Sequence, residues 1–192
     1  MEIREELTTR MGMGQPREHL GREIDERGSI LTCTGHRDAD ETKLRPALEE
    51  ALTIQLHNKG FCTARVGMAE GADIIFGEIC LDFNIPFDAY IPDPGYYSHY
   101  IKGAWQTRFT KLLSSAVDVR YSSSNHDWRN NFQRNLDMIR DADTVFAAYR
   151  YPDIHRFTKQ YRPRKGGTAH GIQVALQTGH MLGDSLIVIP DC

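Results

Sequence analysis

The feature that most constrains this chain is a repeated unit: a short apolar run, a turn carrying glycine or proline, then a stretch whose apolar residues fall three and four apart. The first copy reads Ser29-Ile30-Leu31-Thr32-Cys33-Thr34, then Gly35-His36-Arg37-Asp38, then Leu44, Ala47, Leu48, Ala51, Leu52 and Leu56. A run of this length and polarity is a strand buried on both faces, and the spacing behind it marks one face of a helix. Pro46 falls early in that helix, where proline is tolerated, and Gly60 can end it.

The unit recurs. Thr63 to Val66 is a second strand, Gly67-Met68-Ala69-Glu70-Gly71-Ala72-Asp73 a loop, and Ile74, Ile75, Ile79 and Leu81 a helix. Pro86 to Ile91 is a third strand, stopped by Pro92 and Pro94, and one helix face behind it carries Ile101, Trp105, Phe109, Leu112 and Ala116. Val117 to Tyr121 is a fourth strand; Trp128, Phe132, Leu136 and Ile139 mark the next helix; Thr144 to Tyr149 is a fifth strand. Gly166-Gly167-Thr168 opens a helix with Ile172, Val174, Ala175 and Leu176, and Ser185 to Ile189 is the last strand.

Such alternation predicts an α/β fold: a single Rossmann-like, doubly wound domain over residues 29–192, with a mostly parallel central sheet of about six strands covered on both faces. Ligands of these sheets bind beyond the carboxyl ends of the strands, where the strand order reverses. The glycine turns at 35, at 67–71 and at 166–167 all follow strands, so they are predicted to share one edge.

Composition narrows the class. The 192 residues are 40% hydrophobic, enough for one core, and a formal net charge of -3 gives no global pull toward nucleic acid or an anionic membrane. Nucleic acid is therefore disfavoured as a partner. Cys33, Cys62, Cys80 and Cys192 are scattered without metal-ligand spacing, so structural zinc is not expected; no metal site and no cofactor are assigned. The chain has no apolar stretch of about 18 residues and no signal-like start, which points to a cytoplasmic protein with no membrane partner. Residues 1–28 are polar, with Gly12, Gly14, Pro16 and Gly21 and a weak rhythm at Ile3, Leu7 and Met11. They read as an arm: a short helix docking on the body or on a second copy in a homo-oligomer, or a disordered terminus.

Chemistry concentrates in the turns. Gly166 and Gly167 can turn backbone N–H groups toward an anion, and the helix behind them adds its own donors and the positive end of its dipole. An ordinary loop-to-helix turn is the plain alternative. Arg37 suits a bidentate pair with a phosphate, or an ion pair with Asp38 or Asp40. Glu70 and Asp73 can hold ribose hydroxyls or act as acid and base, while Asp73 also suits capping of the helix it begins. Arg134 and Asn135, about 100° apart on one helix, do not both face one ligand, and bracing of a neighbouring loop is an equal role. Tyr96, Tyr97 and Tyr100 could stack a base, whereas the spacing of Trp105 makes it core. Between Tyr151 and Lys165 the bases Arg156, Lys159, Arg162, Arg164 and Lys165 alternate with Tyr151, Phe157 and Tyr161: a lid over phosphates, an edge for single-stranded nucleic acid, or a solvated loop.

Taken in order, Thr34-Gly35-His36-Arg37, Gly67-x-Ala69-x-Gly71-Ala72-Asp73, Arg134-Asn135-x-x-Met138-Ile139 before Asp141-Ala142-Asp143, and Gly166-Gly167-Thr168 resemble the SLOG superfamily. The resemblance spans Ser29 to Pro190. It is greatest to the YpsA-like Rossmann-fold branch, and more distant to the DprA and LOG (cytokinin-activating phosphoribohydrolase) groups. It implies a domain that binds a nucleotide or a nucleotide-derived ligand, such as a signalling or NAD-derived nucleotide. The ligand-binding residues it implies are Gly35, His36, Arg37, Gly67, Glu70, Gly71, Asp73, Arg134, Asn135, Gly166, Gly167 and Thr168. LOG enzymes resemble one another in a glutamate shortly after the glycine turn, and Thr168-Ala169-His170-Gly171-Ile172 supplies none. Binding without turnover is thus expected. N-glycosidic hydrolysis of a nucleoside 5′-monophosphate, with Glu70 or Asp73 assisting, is the alternative, and DNA binding in the DprA manner is a third reading that the acidic total charge weighs against.

Overall fold

The computed structural model describes residues 28–60, 62–150 and 166–190, so the arm at 1–28, all but Gly28, and the basic segment from Tyr151 to Lys165 lie outside the described residues. The elements run β1 (Ser29–Gly35), α1 (Glu41–Lys59), β2 (Cys62–Val66), α2 (Ala72–Asp82), β3 (Phe87–Ile91), α3 (Tyr96–Tyr100), α4 (Ala104–Ser115), β4 (Asp118–Tyr121), α5 (Asn130–Ile139), β5 (Thr144–Tyr149), α6 (Gly167–Gln177) and β6 (Leu186–Pro190).

The six strands form one sheet in the order β4-β3-β2-β1-β5-β6, with every neighbouring pair parallel. The chain steps outward from β1 to β4, then crosses back to lay β5 and β6 on the other side of β1. The strand order therefore reverses between β1 and β5, and the carboxyl ends of those two strands flank the crevice expected of a doubly wound sheet.

Each face of the sheet buries its own core. Along β5 the side chains alternate: Phe146 and Ala148 join Leu31, Cys33, Leu44, Leu48, Ile75 and Phe109 under α1, α2 and α4, while Val145, Ala147 and Tyr149 join Met138, Ile139, Ile172 and Ala175 under α5 and α6. Buried Arg65 in β2 is accommodated because its guanidinium donates to the carbonyls of Asp137 and Met138 at 3.2 and 3.0 Å, in the last turn of α5. A cation there satisfies carbonyls that the helix leaves open and opposes the negative end of its dipole.

Two elements depart from the sequence pattern. The helix expected to carry Ile101, Trp105 and Phe109 is two helices, broken at Ile101-Lys102-Gly103, with Gly103 at φ +53°. Trp128 precedes α5 instead of lying within it, and it is 56% exposed. No helix among the described residues is long and apolar enough to cross a membrane.

Candidate functional site

The glycines at the carboxyl ends of β1 and β2 exist because backbones meet there. At Gly35 an added Cβ would lie 2.3 Å from the Ala72 Cβ and 2.7 Å from the Ala148 Cβ, so only hydrogen fits where β1, β5 and the start of α2 converge. Gly71, at φ +79°, presses on the next turn: its Cβ would stand 2.4 Å from the carbonyl oxygens of both His36 and Arg37. The Ala72 N–H donates to the His36 carbonyl at 3.1 Å, which makes the first and second glycine turns one seam. The third joins from α6, whose Gly171 packs on Thr34, with a would-be Cβ 2.5 Å from the Thr34 hydroxyl oxygen.

Helix α5 clamps this seam with two successive residues. Arg134 donates to the Asp73 carboxylate at 2.8 Å and to the Gly67 carbonyl, and all three groups are buried. Asn135 donates to the Gly167 carbonyl at 2.9 Å and lies 3.5 Å from the His170 ring. Their divergence along the helix thus gives each a different glycine loop to hold. Asp73 does not cap α2 as expected. Gly71 is the N-cap and makes no side-chain bond, while Asp73 instead accepts from Arg134 and from the Ala69 N–H. Burial pushes the Asp73 carboxyl above the usual carboxylate range, against the opposing pull of Arg134. Thr168 is likewise buried in the first turn of α6.

The remaining positions are exposed or partly exposed. Arg37 is exposed and donates to the Tyr96 hydroxyl at 2.9 Å, with its guanidinium carbon 6.0 Å from the Tyr96 ring and 5.5 Å from the Tyr100 ring. The acids that could neutralise it are engaged elsewhere. Asp38 pairs with Arg150 at 3.1 Å, which holds its carboxyl below the usual range, and Asp40 caps α1 through Thr42. Among the described residues Arg37 makes no salt bridge. His36 stacks on Tyr149 at 5.8 Å; burial, then the Arg150 charge, lower its pKa. Glu70 accepts from the Lys102 N–H at 2.7 Å and so ties the second glycine turn to the α3–α4 break. Gly166 and Gly167 are exposed, no side chain caps α6, and a Cβ on Gly167 would meet nothing within 4 Å.

Sequence reasoning passed over a second group at the same edge. Asp93, two residues past β3 and 1% exposed, accepts from the Gly95 N–H at 3.0 Å, from His126 Nδ1 at 2.8 Å and from Asn130 Nδ2 at 3.2 Å. The His126 ring stacks on His99 with centroids 4.1 Å apart, and the Tyr100 ring lies 5.8 Å from it. The signal available was position: Asp93 and His126 stand in the loops that leave β3 and β4. Near the α6 start, exposed Trp128 stands edge-on to Phe132 at 5.6 Å, and Phe132 in turn meets His170 at 4.7 Å. Among the described residues no cluster of histidine, cysteine or carboxylate side chains could hold a metal ion.

No protein-family model matches the chain, and no curated protein matches its sequence. Among solved structures it is similar to DNA processing protein A from Helicobacter pylori, described for its single-stranded DNA binding mode, at TM-score 0.53 and 15% identity over 85% of this chain and 66% of that one. It is also similar to DNA processing protein A (DprA) from Streptococcus pneumoniae, at TM-score 0.55 and 13% identity over 85% of this chain and 51% of that one. The chain thus spans between half and two thirds of the length of these neighbours. At such identities the likeness is one of fold, a Rossmann-like fold distantly related to that of DprA.

Proposed function

We propose that the chain binds a nucleotide or nucleotide-derived ligand in the crevice between β1 and β5, with the ligand's phosphate between Arg37 and the start of α6. The carrying observation is Arg37: an exposed guanidinium set by the Tyr96 hydroxyl over two tyrosine rings, with both neighbouring acids taken by other partners. A fixed cation that makes no salt bridge among the described residues favours a phosphate, which its planar fork can grip with two hydrogen bonds. Gly167 supports the reading, since its missing side chain leaves open space and not room for protein. Helix starts offer unpaired N–H groups to anions. Gly35, Gly67, Gly71, Asp73, Arg134, Asn135 and Thr168 act in this reading as the frame, and His36, Arg37, Glu70, Gly166 and Gly167 as the ligand-facing set. Binding without turnover is part of this proposal, supported by the commitment of Asp73 to Arg134 and of Glu70 to a backbone N–H, and so is the place of the chain in the YpsA-like branch of SLOG.

Calorimetry with nucleoside monophosphates tests this. Arg37→Ala is expected to weaken binding roughly ten- to a hundredfold, the loss of a charge-assisted contact of about 1.5–3 kcal/mol. Gly167→Val is expected to weaken it by filling the open space, and both variants should unfold at the wild-type temperature. Unchanged affinity in both would return the two residues to structural roles.

A second reading, single-stranded nucleic acid across the same edge, draws on Trp128, since an exposed indole beside a phosphate site can stack a base. The structural neighbour described for single-stranded DNA binding accords with it. Under this reading oligothymidylate quenches the emission of Trp128. Trp128→Phe, which keeps only half-buried Trp105, is expected to abolish the change and to lower affinity about fivefold or more. Absence of quenching and of any salt-dependent association would leave the mononucleotide reading alone.

A further inference from the structure

We infer that His99 and His126 form a subsite for the sugar diol of the ligand, an inference that rests on the nucleotide reading above and adds its substrate class: ribonucleotides over their deoxy counterparts. One hydrogen bond fixes each ring. A carboxylate only accepts, so the 2.8 Å contact between His126 Nδ1 and Asp93 requires the proton on Nδ1. A backbone carbonyl also only accepts, and His99 Nδ1 lies 2.7 Å from the Gly95 carbonyl. In their neutral forms both rings therefore carry Nδ1–H and present Nε2 as an acceptor. Asp93 is held too firmly to swing away, since Gly95 and Asn130 donate to it as well.

The consequence is a pair of acceptors on two rings stacked 4.1 Å apart and tilted by 15°. Elsewhere this edge is rich in donors: the Arg37 guanidinium and the N–H groups at the start of α6. A nucleotide's phosphate oxygens accept, while its sugar hydroxyls can donate, and a vicinal diol offers two such donors side by side. One tyrosine sets the spacing between the two halves of the site, because the Tyr100 ring contacts both the Arg37 guanidinium, at 5.5 Å, and the His126 ring, at 5.8 Å. A phosphate on Arg37 thus leaves the attached sugar directed over Tyr100 toward the histidine pair.

The test compares adenosine monophosphate with 2′,3′-dideoxyadenosine monophosphate by calorimetry at about pH 8.5, where an ordinary imidazole is neutral. The wild type is expected to prefer the ribonucleotide by about tenfold or more, as befits two hydrogen bonds. His99→Ala, at an exposed position, should erase most of that preference, with affinity falling more for the ribonucleotide than for the dideoxy compound; an equal fall for both would overturn the diol subsite. Equal binding of the two compounds by the wild type would overturn the diol subsite and leave the phosphate site standing; failure of both to bind would overturn the nucleotide reading and this inference together. Long-range proton–nitrogen NMR of the free protein adds an independent arm. Both rings should carry the proton on Nδ1, and an Nε2–H form of either would overturn the inference.

Discussion

Arg134→Met is expected to cost about 3–5 kcal/mol of folding stability near neutral pH, the loss typical when one partner of a buried ion pair is removed and the other charge stays behind. Asp73 would then face the core with only the Ala69 N–H, at 3.3 Å, and the Gly67 carbonyl would lose its donor. The pH dependence has a definite sign. Burial already raises the Asp73 pKa above its unfolded value with Arg134 in place, and removing the cation raises it further. Between the unfolded and folded pKa values the native state binds more protons than the unfolded chain, so stability falls as pH rises through that window and is regained as pH falls. The stability gap between variant and wild type, measured by urea unfolding, should therefore narrow from about pH 8 to about pH 4. Taking the difference matters, because acid also weakens the pairs of Asp38 and Glu41 in both proteins. Arg134→Met with Asp73→Leu should recover most of the loss, since a buried pair exchanged for apolar groups is often neutral. A gap that does not move with pH, or a double variant no better than the single, would mean that Arg134 serves packing and not charge.

Sheet and layers were legible because buried parallel strands are short apolar runs, and few other segments combine that length with that composition. The break between α3 and α4 was not. Ile101, Trp105 and Phe109 keep helical spacing straight through Gly103, because both helices pack against the same core and the rhythm records burial, not backbone continuity. Trp128 misled in a related way: it stands four residues before Phe132, but its contact is an edge-on one made from outside the helix. Within the candidate site, the glycine turns were readable because close approach of backbones leaves no residue but glycine. The histidine pair was not readable. Its meaning depends on β3 and β4 being neighbours, and strand order is a property of the whole sheet that no local spacing encodes. The choice between Asp73 as cap and Asp73 as ion-pair partner failed for the same reason, since Arg134 lies 61 residues away in sequence.

Gly71→Ala is expected to be far more damaging than the same change at Gly60, although the two residues share a backbone conformation. Gly60 lies at φ +71°, ψ -126° and Gly71 at φ +79°, ψ -129°, a region that glycine enters freely and other residues resist. An alanine at Gly60 meets nothing within 4 Å, so its cost is conformational alone, about 1–3 kcal/mol. At Gly71 the same strain is joined by a Cβ 2.4 Å from two carbonyl oxygens, and these belong to backbone that cannot rotate aside. Relief requires the His36–Arg37 turn to move off α2, which adds overpacking of about 1–3 kcal/mol and breaks the bond from Ala72 to the His36 carbonyl. Moving that turn also moves Arg37 off Tyr96 and Tyr100. The Gly71 variant should therefore lose ligand affinity along with stability, whereas the Gly60 variant loses stability only. Urea unfolding of the two alanine variants beside calorimetry with adenosine monophosphate makes the comparison, with Gly103→Ala, at φ +53° and equally open, as a second control. Equal stability losses at positions 60 and 71 would mean that the first and second glycine turns do not press on one another, and the common edge on which the ligand site depends would lose its principal joint.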